Sequence, residues 1–144
     1  MSMEMSVFFA GPMPTPSAVT QSMQQLGLNF AITDHQSGFD SARGFMPMSY
    51  DKGGDTHETG VEVYVGSARE RIDHLGHEGV DPKFNNEISF RWSADLMEGA
   101  CAEALAAAIA TLTHGVIWED YGDTIISVET AVKYCHEFLS AADE

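Results

Sequence analysis

The segment 104–113 most constrains what this chain can fold into. Its ten residues carry no charge, and five of them are alanine. Such small apolar side chains let neighbouring elements approach a helix from most sides. We expect the helix to run from about Asp95 to Thr113, with Glu98 and Glu103 near its start, where acids suit the positive end of the helix dipole. The pattern predicts a central helix that is packed on most of its surface.

Apolar residues that alternate with polar ones predict strands before and after this helix. The predicted strands are 8–9, 28–33, 45–50, 60–65, 88–92, 116–118 and 124–126. Further helices are predicted over 16–26 and 67–75 and after Ser127, which gives the order β-α-β-β-β-α-β-α-β-β-α. Because most neighbouring strands are joined as hairpins, we expect a single α+β domain spanning 1–144. It would be a mainly antiparallel sheet packed against the Ala-rich helix and a C-terminal helix.

Several helix ends are marked by residue types that satisfy free backbone groups. Thr15 followed by Pro16 is typical of an N-cap and first helical position, and Gly27 is placed to end that helix. Ser127 is the predicted N-cap of the final helix. Gly115 is the predicted C-cap of the central helix.

The chain is strongly acidic, with 22 Asp and Glu against 7 Lys and Arg and a formal net charge of -15. After Arg91 only one basic residue, Lys133, stands against ten acids. A surface of this sign repels nucleic acid and anionic lipid, and it attracts basic proteins. The apolar content of 44% argues against disorder despite the charge. We therefore expect a folded protein with a basic protein partner and no direct contact with nucleic acid or membrane.

Neither a targeting signal nor a reactive cysteine is indicated by the sequence. The apolar run 7–10 follows Glu4 and no basic residue, and it is too short for a signal peptide. No stretch reaches the ~20 apolar residues of a membrane span. We expect a cytoplasmic protein in which Cys101 and Cys135 are buried free thiols, while a disulfide between their two helices stays open.

The densest set of metal-capable side chains is His74, His77, Glu78 and Asp81. Zinc needs three or four converging ligands, and no second ligand pair with recognisable spacing accompanies these residues. The prediction is a solvated loop with incidental histidines, and neither a metal nor a cofactor.

Two further clusters place histidine beside carboxylates, at 34–35 and 55–58. Either can orient an imidazole as general-base chemistry requires. No Ser or Cys lies in a nucleophile setting beside them, and a thiolate at Cys101 is disfavoured in an apolar helix. Gly-rich phosphate-binding motifs are absent from the sequence. We expect no enzyme, and a small His/Asp metal-dependent hydrolase is kept as an alternative.

The predicted turn after 116–118 combines two aromatic residues with three acids. Such a tip can place rings against a basic partner while its carboxylates meet Lys or Arg. The alternative is a turn in which the Trp packs inward and the acids are solvated. The predicted partner-binding residues are Trp118, Glu119, Asp120, Tyr121 and Asp123.

The region from Ile88 to Val132 resembles small acidic α+β proteins of bacteria that are similar to immunity proteins of toxin systems. The resemblance lies in a Trp-containing strand, the Ala-rich helix, its exit at Thr113-His114-Gly115, the acidic hairpin and the capped final helix. It implies a protein-binding role and transfers no functional residue.

Charge and resemblance together favour a stoichiometric protein-binding inhibitor, such as an immunity protein or antitoxin that caps a basic site on a toxin or nuclease. An alternative is a phage or plasmid anti-defence protein, an acidic inhibitor of a nucleic-acid-binding defence complex. A strict nucleic-acid mimic would need its carboxylates in rows spaced like phosphates.

Overall fold

The computed structural model describes residues 3–33, 38–39, 43–67, 80–81, 83–120 and 124–142. Strands and helices alternate within them much as predicted, and the predicted helix over 67–75 lies almost wholly outside them. The elements are β1 (Met3–Phe9), α1 (Pro16–Gln25), β2 (Phe30–Ile32), β3 (Arg43–Lys52), β4 (Asp55–Ser67), β5 (Asn86–Trp92), α2 (Leu96–Thr113), β6 (Val116–Glu119), β7 (Thr124–Ile126) and α3 (Val128–Ala142).

The described strands form one seven-stranded sheet in the order β2-β3-β4-β5-β1-β6-β7. All neighbouring strands pair antiparallel, which confirms the α+β prediction. β3 and β4 extend beyond the predicted 45–50 and 60–65, because their pairing continues through polar residues to a turn at Gly53 and Gly54. Both glycines have positive φ, 59° and 91°, as a two-residue hairpin turn requires.

The Ala-rich helix α2 is the centre of the fold, as its composition predicts. Every residue from Gly99 to Ala110 is buried. α2 packs on β1, β4, β5 and β6, and α1 and α3 lie against it. Close approach of α3 depends on Gly99, where a Cβ would lie 3.0 Å from Phe138 Cε1. The 18 residues of α2 are, contrary to the expectation from the sequence, long and apolar enough to cross a membrane by length and composition, but 67% of them are buried within the fold, as in a core helix.

Each of the three helices in the described residues starts at a side-chain cap. The Thr15 hydroxyl accepts from the Ala18 N–H at 3.1 Å, and the Ser127 hydroxyl accepts from the Thr130 N–H at 3.1 Å. Both caps confirm the sequence predictions. At α2 the Asp95 carboxylate accepts from the N–H groups of the second and third helical residues.

The predicted C-cap of α2 at Gly115 is wrong. His114 is the residue in the left-handed conformation, with φ of 55°. Gly115 is required for a different reason, since a Cβ there would lie 2.4 Å from the carbonyl oxygen of Phe8. The glycine lets the chain enter β6 directly against β1.

The sheet face opposite the helices has a smaller apolar cluster. Phe8, Val80 and Trp118 are buried together there, with Phe84 at their edge. On β1 the buried Ser6 hydroxyl donates to a carboxylate on β5. The middle of β1 is therefore covered on both faces.

Candidate functional site

The structure places the described residues of the predicted hairpin tip on two faces of the sheet. Trp118 is 1% exposed and belongs to the cluster opposite the helices. Its Nε1–H donates to Asp120 Oδ1 at 3.4 Å. Asp120 is exposed, and its backbone N–H donates to the Glu4 carbonyl at 3.1 Å. Tyr121 and Asp123 lie outside the described residues. The Trp118 ring thus supports the base of the tip from inside the protein.

Glu119 points to the opposite, helix-covered side of the sheet. It follows Ile117 by two residues, and Ile117 belongs to the main core beneath the helices. Glu119 is only 6% exposed, and its Oε2 has no hydrogen-bond partner. Burying a carboxylate whose oxygen lacks a hydrogen-bond partner lowers the stability of the folded protein.

A groove of about 370 Å³, which we call the Glu119 groove, opens between the end of β6, the start of α2 and the last turns of α3. Its residues combine two acids with apolar and aromatic side chains. They are Leu96, Glu119, Tyr134, Glu137, Phe138 and Ala141. Glu137 is exposed and forms a loose i,i+4 pair with Lys133 at 4.0 Å. Exposed ion pairs of this kind contribute little to the stability of the protein.

A second groove of about 530 Å³, which we call the Glu98 groove, lies between the β3–β4 hairpin and the start of α2. Three of its lining side chains are acids and one is a lysine, and Phe45 is an aromatic wall that is 56% exposed. The lining residues are Phe45, Tyr50, Lys52, His57, Glu58, Thr59, Gly60, Asp95, Met97, Glu98 and Ala142.

Negative charge is concentrated around Glu98. Partial burial raises the pKa of its carboxyl group, and the negative charges of Asp95 and Glu62 raise it further. A group whose pKa rises because of like charges lies in a negative potential, which a cation would relieve. Like charges from β4 and from the start of α2 are therefore held together at this groove.

The two grooves adjoin each other. Asp95, Met97 and Ala142 line the Glu98 groove, whereas Leu96 and Ala141 line the Glu119 groove. The start of α2 and the end of α3 therefore form the ridge between them. We call the combined surface the acidic face, and its carboxylates are Glu58, Asp95, Glu98, Glu119 and Glu137. Among the described lining residues, the basic side chains are Lys52 and the imidazole of His57.

The two cysteines are buried free thiols, as predicted. Burial raises the pKa of Cys101 to about 12, and it also raises the pKa of Cys135. Cys101 Sγ lies 3.6 Å from the Thr59 hydroxyl, and the Cys135 thiol donates to the Ala100 carbonyl. These thiols are protonated at neutral pH and are not poised as nucleophiles.

We expect both thiols to react slowly with a thiol reagent at pH 8 in the folded protein. A pKa of about 12 in place of 9 lowers the thiolate fraction of Cys101 roughly 1,000-fold. Labelling followed by mass spectrometry, with urea-unfolded protein as the control, measures the difference. Equal rates in the two states would contradict the burial of these thiols.

The other clusters that the sequence singled out are only partly described. His74, His77 and Glu78 lie outside the described residues, and Asp81 is held by the backbone N–H of Lys83 at 3.0 Å. His57 and Glu58 line the Glu98 groove, while 34–35 is not described. Within the part of the chain that the structure describes, no group of three His, Cys, Asp or Glu side chains is arranged to hold a metal.

The sequence predicts Glu119 as a partner-binding residue, but it does not predict that Glu119 shares a surface with the other carboxylates of the acidic face. In the sequence, Asp95 and Glu98 indicate only the start of a helix, and Glu58 only a neighbour of His57. One signal was available for Glu119, because it follows Ile117 at the two-residue spacing of one strand face. Comparisons with protein-family models, curated proteins and solved structures find no match for this chain.

Proposed function

We propose that this protein is a stoichiometric inhibitor that binds a basic protein partner through the acidic face. The partner is a toxin, a nuclease or another nucleic-acid-binding protein, whose basic site the acidic face covers. The observation that carries the proposal is the pair of adjoining grooves lined by five carboxylates.

Shape supports a protein partner. A nucleic-acid mimic needs carboxylates on an extended, duplex-like surface, whereas these line concave grooves. A concave acidic surface suits a partner that inserts Lys or Arg side chains between the carboxylates. The formal net charge of -15 would steer such a partner to the surface from a distance.

Exposed apolar side chains beside the acids support the same proposal. Phe45 is 56% exposed and Leu96 is 38% exposed, and each lines one of the two grooves. Apolar side chains that are surrounded by charge provide the desolvated contacts that give protein interfaces much of their affinity. Carboxylates alone would give mainly salt-sensitive attraction.

We expect Glu137→Lys to weaken partner binding about tenfold, because it reverses a charge on the acidic face. Glu129→Lys is the matched control and should change the affinity less than about twofold. Both residues are exposed on α3, and roughly 12 Å of helix separates them. Glu129 lies in the first turn of α3, where a negative charge favours the helix, so Glu129→Lys should lower the stability at least as much as Glu137→Lys does. A loss of binding seen only with Glu137→Lys therefore cannot be explained by reduced stability.

The measurement begins with affinity capture from the source cell, followed by titration of the purified partner at low and high salt. We expect a basic protein bound one to one, and restored growth when the chain is coexpressed with a toxin encoded beside it. Failure to retain any basic protein, together with no rescue from such a toxin, would refute the proposal.

A further inference from the structure

We infer that the Glu119 groove is an anchor site for one arginine side chain, and that Glu119 is the residue that recognises its guanidinium group. This inference deepens the proposed function, since the arginine would belong to the basic partner. It rests on the geometry of a single groove, so it can also be tested without any partner.

The first argument is the state of the Glu119 carboxylate. The residue as a whole is only 6% exposed, and its Oε2 is buried without a hydrogen-bond partner. A buried carboxylate normally receives hydrogen bonds from neighbouring donors, because an unpaired one loses its hydration without compensation. An incoming cation with N–H donors would supply the hydrogen bond that Oε2 lacks in the free protein.

The second argument is the chemistry of the groove walls. Leu96 and Ala141 provide apolar surface from the ends of two helices. Tyr134 and Phe138 add aromatic rings, and Phe138 is held edge-on against Trp92 with ring centroids 6.3 Å apart. An arginine has a methylene stem that suits apolar walls and a planar group that stacks on aromatic rings.

The third argument selects arginine over lysine. The guanidinium group is planar, is weakly hydrated and donates two parallel hydrogen bonds to one carboxylate. An ammonium group is compact and strongly hydrated, so it loses more on entering a mostly apolar groove. Glu137 at the exposed rim would attract the cation, and Glu119 would receive it further in.

The test uses three short peptides: acetyl-Gly-Arg-Gly-amide, its lysine counterpart and its citrulline counterpart, which is nearly isosteric with arginine but neutral. Each is titrated at constant ionic strength while the backbone amide signals of Leu96, Glu119 and Phe138 are followed by NMR. We expect saturable shifts with the arginine peptide and affinities at least about tenfold weaker with the other two. Equal binding of the citrulline or the lysine peptide would overturn the inference.

Glu119→Gln is the decisive variant. We expect it to bind the arginine peptide about tenfold more weakly and to unfold at the same or a higher temperature, because it removes a buried carboxyl group whose Oε2 has no hydrogen-bond partner. Unchanged arginine binding, or a large loss of stability without a loss of binding, would show a structural role and overturn the inference. If this variant does not fold, Glu137→Gln replaces it, with an expected loss of about threefold.

The proposed function and the arginine site can each be refuted without refuting the other. If the partner binds wild-type protein and Glu119→Gln equally well, the acidic face binds a protein but the Glu119 groove is not its anchor. If the arginine peptide binds and no basic partner exists, the groove is a guanidinium site and the inhibitor function is wrong.

Discussion

Trp118→Ala is expected to lower the free energy of unfolding by about 3–5 kcal/mol, the cost typical of removing a fully buried large aromatic side chain. Trp118 is the largest of the fully buried side chains and packs with Phe8 and Val80 on the sheet face opposite the helices. That cluster is small, so few neighbours can move into the space left by the ring. Urea denaturation followed by circular dichroism measures the loss.

Trp118→Phe is the control for this substitution. It keeps one aromatic ring but loses the rest of the buried indole and the hydrogen bond to Asp120, so we expect a smaller loss of about 1–2 kcal/mol. Because the ring is buried in the free protein, partner binding by Trp118→Phe should equal that of the wild type. A Trp118→Ala protein as stable as the wild type would contradict the packing described here.

Gly115→Ala should cost about 2–3 kcal/mol, the upper range for overpacking against a rigid neighbour. A Cβ at this position would lie 2.4 Å from the Phe8 carbonyl oxygen and 2.9 Å from Phe9 Cβ. Both belong to β1, which is held between β5 and β6 and cannot move aside without breaking strand pairing. Thermal and urea unfolding would measure the cost.

Gly66→Ala is the control, because Gly66 lies within β4, paired with Glu87 of β5, and has open space where its Cβ would be. We expect a change within about 0.5 kcal/mol, as for ordinary surface substitutions. If Gly115→Ala proves as mild as Gly66→Ala, the close contact between β1 and the entry to β6 is wrong.

The sequence predicted the elements well where the signal is local. The run of small uncharged residues at 104–113 forms most of the buried part of α2, and the caps at Thr15 and Ser127 involve only the next few residues. Gly115 was misassigned because two physical reasons for glycine look identical in a sequence. A positive φ and a close approach by a distant strand both exclude a side chain, and only the position of β1 distinguishes them.

The candidate site was predictable only in part. The acids near 118–123 stand out locally, and Glu119 among them proved to line a groove. Its partners in the acidic face come from β4, from the start of α2 and from the end of α3. No spacing rule connects those segments, because their contact depends on how α3 folds back along α2.

The sequence by itself determined the sign of the charge, the central helix and the antiparallel α+β class, since each follows from residue types and short-range periodicity. Only the tertiary structure decided which carboxylates share a surface. The fold buries Trp118 in the apolar cluster opposite the helices, and it places Glu119 on the other face of β6, beside α3. The physical reason is that the effect of a charge depends on its distance from other charges and on its exposure to water, and both are set by elements far apart in the chain.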